Sequence, residues 1–428
     1  MKPLRIAGLV AVIAAVWFGT VSQLRAQTVS APRPVVDAST MEHKLLLGYQ
    51  GWFACPGDGS PPDCWVHWFR RNNPVATNAT VDFWPDTAEL DADELFPTGL
   101  QLPDGSPAKV YSAFTPKTVA RHFQWMRDYG VAGVFLQRFT SELSDPAFFA
   151  LRNGVAVNVR AGAEKYGRVF AIMYDVSGQR ADQLQPALTN DWNYLTKKLL
   201  LTASGSYLRQ HGKPVVALWG FGFARRGDTP GQALAAIHFF QAAGCTVVGG
   251  VPAHWRTLDR DAQTNAAWAE AFRAFDVISP WSVGRYVDDA GADNFAKNVI
   301  VPDLAAAKIA GCGYMPVIFP GFSWHNLNGG PVNQIPRRGG AFYWQQVYNA
   351  VKAGCPMLYG AMFDELDEGT ALFKLAPTSA QLPAAGNFVA LDVDGVTLPS
   401  DWYLRLTGEA GKMLRGEIPL SPQIPISP

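Results

Sequence analysis

Short, nearly continuous apolar runs that alternate with helix-like segments constrain the fold of this chain more than any other feature. Eight such runs, rich in Val, Ile, Phe and Tyr, recur along the sequence. Strands covered on both faces, as in a parallel sheet, have this character. The runs are Leu45–Phe53, Val131–Phe139, Val169–Tyr174, Pro214–Trp219, Thr246–Pro252, Val277–Trp281, Met315–Phe322 and Met357–Phe363.

Helix-like segments lie between most of these runs. The first begins with Thr115 as a candidate cap and a proline in the first turn, and it places Val119, Phe123 and Met126 on one face. Several segments end in glycine, the usual helix stop. The segments are Thr115–Arg127, Pro146–Tyr166, Asp191–Gln210, Pro230–Ala243, Asp261–Phe275, Asn294–Ala310 and Ala341–Ala353, with a final candidate at Trp402–Leu414.

This eight-fold alternation predicts an α/β protein with a (β/α)8 barrel of the TIM type. We expect a single catalytic domain over residues 41–418, with a long loop at 55–114 after the first strand and a tail at 419–428. Residues 376–401 are expected to close the barrel or to form a short hairpin. An open doubly wound sheet is the alternative, but Gly48-Tyr-Gln-Gly51 is not its Gly-rich phosphate turn.

The N-terminus has the pattern of an export signal. Lys2 and Arg5 precede the apolar run Ile6–Val21, and Ala26 is a candidate cleavage position. We therefore expect a signal peptide at 1–26, a polar leader at 27–40 and a secreted or periplasmic protein that does not associate with a membrane after cleavage. A retained N-terminal anchor is the alternative, although the apolar run is short for a spanning helix of about 20 residues.

Charge and cysteine content bear on the class of partner. The 36 basic and 36 acidic side chains cancel, so we expect no nucleic-acid partner. Cys55 and Cys64 bracket a turn-rich segment, and both a disulfide and two free thiols are open. Cys245, Cys312 and Cys355 are expected to be buried thiols at strand starts. Neither CxxC nor HExxH occurs, so no metal and no cofactor are expected; a monomer is the default.

The side chains that follow the predicted strands define the candidate active site, because the active sites of β/α barrels lie at the C-terminal ends of the strands. Flat aromatic faces suit sugar rings, hydrogen-bonding groups suit hydroxyls, and carboxylates suit acid/base chemistry. This mixture predicts a poly- or oligosaccharide as the partner. The candidate substrate-binding residues are Tyr49, Trp52, Gln137, Arg138, Tyr174, Trp219, His254, Trp255, Trp281, Arg285, Trp324, His325 and Asp364.

Other roles stay open for four of the candidate residues. Asp175, a candidate catalytic acid at the end of the third run, could instead cap a helix. His254 and His325 could be satisfied structural side chains. Arg138 could be a buried counter-ion as well as a substrate contact.

The segment after the eighth run is the most informative. It carries Asp364, Glu365, Asp367 and Glu368 within five residues, and a solvated acidic turn is the simplest alternative to a site. Crowded charge would raise the pKa of at least one carboxyl group, as a general acid requires. Because Glu365 and Glu368 are three residues apart, one turn of chain could aim both at one ligand.

The segment Glu365-Leu-Asp-Glu-Gly-Thr370 resembles the Glu-x-x-Glu-Gly-Thr signature of glycoside hydrolase family 99, the endo-α-mannosidases and endo-α-mannanases. More broadly, the chain resembles the bacterial glycoside hydrolase family 71/99-like proteins over most of its mature length. This broader likeness includes Gly48–Phe53, His122–Met126 and Gly133–Phe139. The resemblance implies a (β/α)8 barrel that acts on glycosidic bonds without a metal.

By position, the resemblance implies that Glu365 is the base that deprotonates the substrate 2-hydroxyl. It implies that Glu368 is the acid/base for the leaving group and then for water. Family 99 has Trp-His between its glutamates where this chain has Leu366-Asp367, so substrate contacts there must differ. In the family 71 α-1,3-glucanases, the third strand ends in an Asp that resembles Asp175.

Together these features predict a secreted, retaining glycoside hydrolase with Glu365, Glu368 and Asp175 as its catalytic residues. Glu365 would serve as the base or as a conventional nucleophile. A non-catalytic carbohydrate-binding barrel is the main alternative, since a fold does not guarantee activity. A lyase or a metal-assisted hydrolase is the remaining one, and the latter would need Asp364, Asp367 and Asp175 around a cation.

Overall fold

Eight parallel strands form the central sheet. The computed structural model describes residues 35–428, so the predicted signal peptide and most of the polar leader lie outside the described residues. The strands are β1 (Leu45–Tyr49), β2 (Gly133–Phe139), β3 (Val169–Asp175), β4 (Lys213–Trp219), β5 (Thr246–Pro252), β6 (Val277–Trp281), β7 (Gly313–Tyr314 and Val317–Ile318) and β8 (Leu358–Gly360).

The order of the strands in the sheet follows the chain, and the sheet closes on itself. Each strand from β1 to β6 pairs in parallel with the next, and β8 pairs with β1. The two pieces of β7 complete the ring, since Gly313–Tyr314 pairs with β6 and Val317–Ile318 with β8. Pro316 lies between them and has no N–H to donate to the ladder. The (β/α)8 barrel expected from the sequence is confirmed.

Within residues 35–428, eight helices surround the ring, and a further one-turn helix, His325–Asn328, lies in the loop after β7. Gly130 and Gly167 end the first two in the left-handed conformation (φ +76° and +62°), as a glycine stop does. Within residues 35–428, no helix combines the length and apolar character needed to cross a membrane. The helices are α1 (Pro116–Tyr129), α2 (Pro146–Tyr166), α3 (Ala181–Lys197), α4 (Pro230–Ala242), α5 (Trp268–Arg273), α6 (Asp289–Phe295, a π-helical turn Ala296–Ile300, and Val301–Ala310), α7 (Ala341–Lys352) and α8 (Trp402–Leu414).

Two helices differ from their predicted bounds. Helix α3 starts ten residues earlier than the predicted Asp191 and contains Pro186, a residue that usually breaks helices and therefore concealed this first part. After α3 the chain forms a turn and the short strand Arg209–Gln210, which pairs with β4. Helix α5 is shorter than predicted because Asp261, the first residue of the predicted helix, lies in the preceding loop. There its carboxylate accepts hydrogen bonds from the His254 N–H and from Arg285 Nε.

The long loop after β1 has structure of its own. Its strands Leu95–Gln101 and Pro107–Tyr111 form an antiparallel hairpin. The segment 376–401 forms no hairpin; instead, bridges join this C-terminal region to the loop, with Val389 beside Phe83 and Leu375 beside Pro85.

The five cysteines are free thiols in the structure. Cys55 and Cys64 are not bridged, and the Cys55 thiol is buried and donates to the Tyr111 carbonyl at 3.3 Å. Cys245 and Cys355 are buried as expected, whereas Cys312 is half-buried.

A buried ion pair joins the barrel to its helices. Arg138 on β2 donates from Nε to the Asp191 carboxylate of α3 at 2.9 Å and from Nη2 to Asn153 of α2 at 3.0 Å. The Tyr174 hydroxyl on β3 donates to the same carboxylate at 2.7 Å. Side chains alternate between the two faces of a strand, so Arg138 and Tyr174 point outward while Gln137 and Asp175 point into the barrel. The structure therefore supports the counter-ion role for Arg138.

We expect Asp191→Asn to lower the free energy of unfolding by about 3–5 kcal/mol, because it leaves the Arg138 guanidinium buried without a counter-charge. Urea denaturation measures this change. Asp182→Asn on the same helix is the control, since Asp182 pairs with the exposed Arg180 and such a pair contributes little. Equal destabilisation by the two variants would contradict the role of the buried pair.

Candidate active site

The four acidic residues that follow β8 lie inside the C-terminal end of the barrel. Asp364, Glu365 and Asp367 are buried, and Glu368 is partly exposed. A solvated acidic turn, the alternative considered for this segment, is therefore excluded. Burial removes water from all four groups and favours their neutral forms.

Asp364 links the ends of β8 and β1. Its two carboxylate oxygens accept the backbone N–H groups of Gln50 at 2.7 Å and Gly51 at 2.9 Å. Burial raises the pKa of Asp364 to about 7, although these two hydrogen bonds act in the opposite direction. Both oxygens are occupied by backbone groups, so Asp364 positions its neighbours and is not oriented toward a sugar.

Glu365 is held by two side-chain donors. Gln50 Nε2 donates to Oε1 at 2.5 Å, and the Thr370 hydroxyl donates to Oε2 at 2.6 Å. Burial raises the pKa of Glu365 to about 8, and the Asp367 charge adds to this effect. The two hydrogen bonds favour the carboxylate form and fix the direction of its oxygens.

Glu368 is the least constrained of the four acids. Within the described part of the chain its carboxyl group has no hydrogen-bond partner, while its backbone carbonyl accepts the Ser323 N–H at 2.9 Å. Burial, and then repulsion from Glu365, Asp367 and Asp175, raises the pKa of Glu368 well above its ordinary value. Gly369 follows at φ +67°, where a Cβ would lie 2.7 Å from Ser323 N. This close approach explains the glycine of the signature.

Asp175 reaches the same region from β3. Its Oδ1 accepts the Ser177 N–H at 2.7 Å, so it does hold the turn after the strand. Burial also raises the pKa of Asp175 to about 6, and its charge acts on Glu368. The Tyr359 hydroxyl lies deeper in the barrel, where Gln137 Nε2 approaches it at 3.4 Å.

A stack of flat rings forms one side of the site. Trp52 lies parallel to His67 (centroids 3.8 Å apart, planes 6° apart) and also contacts Phe139 at 5.4 Å. His67 Nδ1 lies 3.2 Å from Asp367 Oδ2. Burial lowers the pKa of His67 to about 3 and that of Asp367 is raised to about 7. The imidazole is therefore neutral, and a hydrogen bond joins its Nδ1 to the Asp367 carboxyl group.

Two tryptophans form a second aromatic side. Trp219 at the end of β4 and Trp281 at the end of β6 meet edge to face at 5.3 Å, and Trp281 also approaches Tyr359 at 6.4 Å. Both tryptophans are partly exposed. In residues 35–428, Trp219 Nε1 and Trp52 Nε1 are buried without a hydrogen-bond partner.

Four of the predicted substrate-binding residues lie instead between the sheet and the helices. Arg138 and Tyr174 bind Asp191 there, as described above. The Tyr49 hydroxyl lies 2.9 Å from His122 Nδ1 on α1. Trp255 Nε1 donates to the Asp303 carboxylate of α6 at 2.9 Å.

His254 and Arg285 belong to a separate cluster around Asp261. His254 Nδ1 lies 2.7 Å from Asp261 Oδ1, and Arg285 Nε donates to Oδ2 at 2.8 Å. The two backbone N–H groups of Ala253 and His254 also donate to this carboxylate at 3.0 Å. Asp261 therefore joins the loops that follow β5 and β6.

His325 has a structural environment. Its Nδ1 lies 2.7 Å from the Gly330 carbonyl, and its Nε2 lies 3.1 Å from Asn387 Nδ2. A carbonyl only accepts and an amide NH2 only donates, so Nδ1 carries the hydrogen and both ring nitrogens are used. The neighbouring Trp324 packs against Phe322 with ring centroids 5.1 Å apart.

In the part of the chain that the structure describes, one group of acids is close enough to share a metal ion: Asp91, Asp93 and Glu94. Lys117 and Arg121 already form ion pairs with this group on the surface. The set of Asp364, Asp367 and Asp175 that a metal-assisted hydrolase would need is not such a group.

Five residues of the site were not among the predicted site residues. Gln50 and Thr370 lie inside the segments that carry the family resemblance, and Asp367 lies inside the acidic run, so each had a local signal. His67 lies in the long loop, and Tyr359 lies within the eighth apolar run. Nothing in the sequence around either residue indicates that it contacts Asp367 or Gln137. The five residues are Gln50, His67, Tyr359, Asp367 and Thr370.

No protein-family model and no curated protein matches the chain. Among solved structures, two of the GH99 endo-alpha-mannosidase from Bacteroides thetaiotaomicron, one of them in complex with bis-tris propane, are similar to it. Each has a TM-score of 0.61 at 15% sequence identity, with 88% of this chain and 99% of the other covered. The chain therefore has the barrel fold of the family that its sequence resembles.

Proposed function

We propose that this protein is a glycoside hydrolase that cleaves a poly- or oligosaccharide. One observation carries the proposal: Glu365 and Glu368 lie in the same turn of chain at the barrel end, where burial raises the pKa of both and the Glu365 charge adds to the effect on Glu368. Paired carboxyl groups whose environments differ are the working parts of most glycosidases. The similar fold of an enzyme named as an endo-α-mannosidase supports this reading.

The environments of the two glutamates suggest how the work is divided. Glu365 receives two side-chain hydrogen bonds, which favour its carboxylate, whereas the Glu368 carboxyl receives none in residues 35–428. Glu368 thus keeps its proton to the higher pH and donates it to the glycosidic oxygen. Glu365 acts as the base on the sugar 2-hydroxyl or as the nucleophile. Glu368 then deprotonates the incoming water, so two successive displacements retain the anomeric configuration.

The aromatic sides fit a carbohydrate substrate. Trp219 and Trp281 are both partly exposed and offer aromatic surface against the apolar side of a pyranose. Asp175 and Gln137 add hydrogen-bonding groups for sugar hydroxyls. We take an α-mannan as the first substrate to test, because the similar structures are of an enzyme named for mannoside cleavage.

We expect the protein to release reducing sugar from at least one of a panel of α-mannans, α-glucans and xylans. Glu368→Gln should lose at least about 100-fold in kcat, because no acid then protonates the leaving oxygen. Binding of the same glycan, measured by calorimetry, should change little. Glu270→Gln, at an exposed glutamate on α5, is the matched control and should keep full activity.

Full turnover by Glu368→Gln would contradict the assignment of the acid. Glycan binding without any sugar release by the wild-type protein would instead favour the carbohydrate-binding barrel. The anomeric form of the first product, followed by proton NMR, separates retention from inversion.

The raised pKa of Glu365 predicts an unusual pH profile. The acidic limb of kcat/KM follows the ionisation of the base, so we expect its midpoint well above about 4.3, the value for an ordinary glutamic acid. Asp367→Asn removes a negative charge that raises this pKa. The limb should then move to lower pH by roughly one unit. Asp93→Asn, at an exposed aspartate of the same long loop, should leave the profile in place, and an upward shift in Asp367→Asn would refute the argument.

We also infer that the protein is exported, with removal of residues 1–26. The basic start and apolar run of the N-terminus support this inference. N-terminal sequencing of protein recovered outside the cytoplasm should begin near Gln27. A full-length N-terminus in a membrane fraction would favour the retained anchor instead.

A further inference from the structure

A cavity beside the acidic site is not used by the proposed chemistry. It has a volume of about 480 Å³ and lies between the loops that follow β3 and β4. Ser177, Gly220, Arg226 and Asp228 are among the residues that line it. We call it the β3–β4 cavity. Its wall begins at Val176, which directly follows Asp175 in the chain.

Arg226 supplies the cavity with a fixed positive charge. Its guanidinium lies 4.9 Å from the centre of the Trp219 ring and 5.1 Å from that of Phe223, and its Nη1 donates to the Gly220 carbonyl at 2.9 Å. Within residues 35–428, no carboxylate forms an ion pair with it. The aromatic contacts hold the planar group in one orientation, so its remaining N–H donors are available to a ligand.

Ser177 brings a second donor to the same place. A Cβ built on Gly220 would lie 2.5 Å from Arg226 Nη1 and 3.6 Å from Ser177 Oγ, so both groups converge on the glycine. Gly220 has φ +116°, and any side chain there would fill the gap between them. The Ser177 hydroxyl is buried, and it also acts on the neighbouring Asp175 carboxylate, whose pKa it lowers.

The other charges that face the cavity are already engaged. Asp228 Oδ2 accepts the Gly222 N–H at 2.6 Å, and Asp175 Oδ1 accepts the Ser177 N–H. Burial raises the pKa of both carboxyl groups, and the Arg226 charge acts in the opposite direction on each. Arg180 also lines the cavity but pairs with Asp182. Arg226 is thus the cation of this cavity that lacks a counter-charge at contact distance.

We propose that the β3–β4 cavity binds an acidic substituent of the glycan, a carboxylate or a sulfate on a sugar next to the one at the acidic site. An arginine held flat presents a fork of N–H donors that matches the oxygens of such a group, and the Ser177 hydroxyl adds a third donor. The location of this sugar rests on the proposed function, whereas the recognition of the anion does not.

The test measures binding of four monosaccharides to the full-length protein by NMR titration: glucose, glucuronate, galacturonate and glucose 6-sulfate. At least one acidic sugar should bind about tenfold or more tightly than glucose, as hydrogen bonds to a charged group allow. Raising the salt concentration should weaken this preference. The uronates and the sulfate ester separate the two sources of the anion.

Arg226→Met should abolish the preference for the acidic sugar, and Ser177→Ala, a smaller change, should reduce it. Arg273→Gln, at an exposed arginine on α5, is the control and should preserve it. Equal affinity for glucose and all acidic sugars, or an undiminished preference in Arg226→Met, would overturn the proposal. Acid-dependent binding without glycan cleavage would refute the proposed function alone, and cleavage of neutral glycans without acid-dependent binding would refute this inference alone.

Discussion

The two hydrogen bonds from the end of β1 to the Asp364 carboxylate are the contact on which the site depends. They join the last strand of the ring to the first at the barrel end where the acids lie. The next residue, Glu365, is then fixed by Gln50, which comes from the same β1 end. One short segment of β1 therefore sets both the closure of the barrel and the direction of a proposed catalytic group. A one-residue shift between β1 and β8 would exchange inward and outward side chains and destroy both.

Much of the barrel and its acidic centre could be predicted from the sequence, because both depend on local patterns. The apolar runs and glycine stops mark the strands and helices, and Glu365 and Glu368 follow the last run directly. The sequence was a weaker guide to whether each side chain at a strand end points into the barrel or toward the helices. Arg138 and Tyr174 end their strands but face the helices, since only the register shows which neighbour points inward.

The remaining part of the site depends on contacts between residues far apart in the sequence. His67 meets Asp367 across 300 positions, and Asp82 in the same long loop accepts the backbone N–H groups of His325 at 2.8 Å and Asn326 at 2.7 Å. The long loop thus supplies one side of the site and also holds the loop after β7. No local periodicity encodes such contacts, because they arise only when the loop folds back over the barrel.

The acidic centre has a cost in stability that the rest of the fold must offset. Burial raises the pKa of Asp364 and Asp367 to about 7 and that of Glu365 to about 8, whereas in the unfolded chain these groups ionise near 4. Folding is most favoured below about pH 4, where all three groups are protonated. The free energy of unfolding then falls as the pH rises from about 4 through 7 to 8, because the folded chain resists the ionisation of these groups. A barrel selected for stability alone would not place carboxyl groups there without counter-ions, as the paired Arg138 and Asp191 illustrate. Their presence at the strand ends fits the proposed chemistry, which needs carboxyl groups that hold protons near neutral pH.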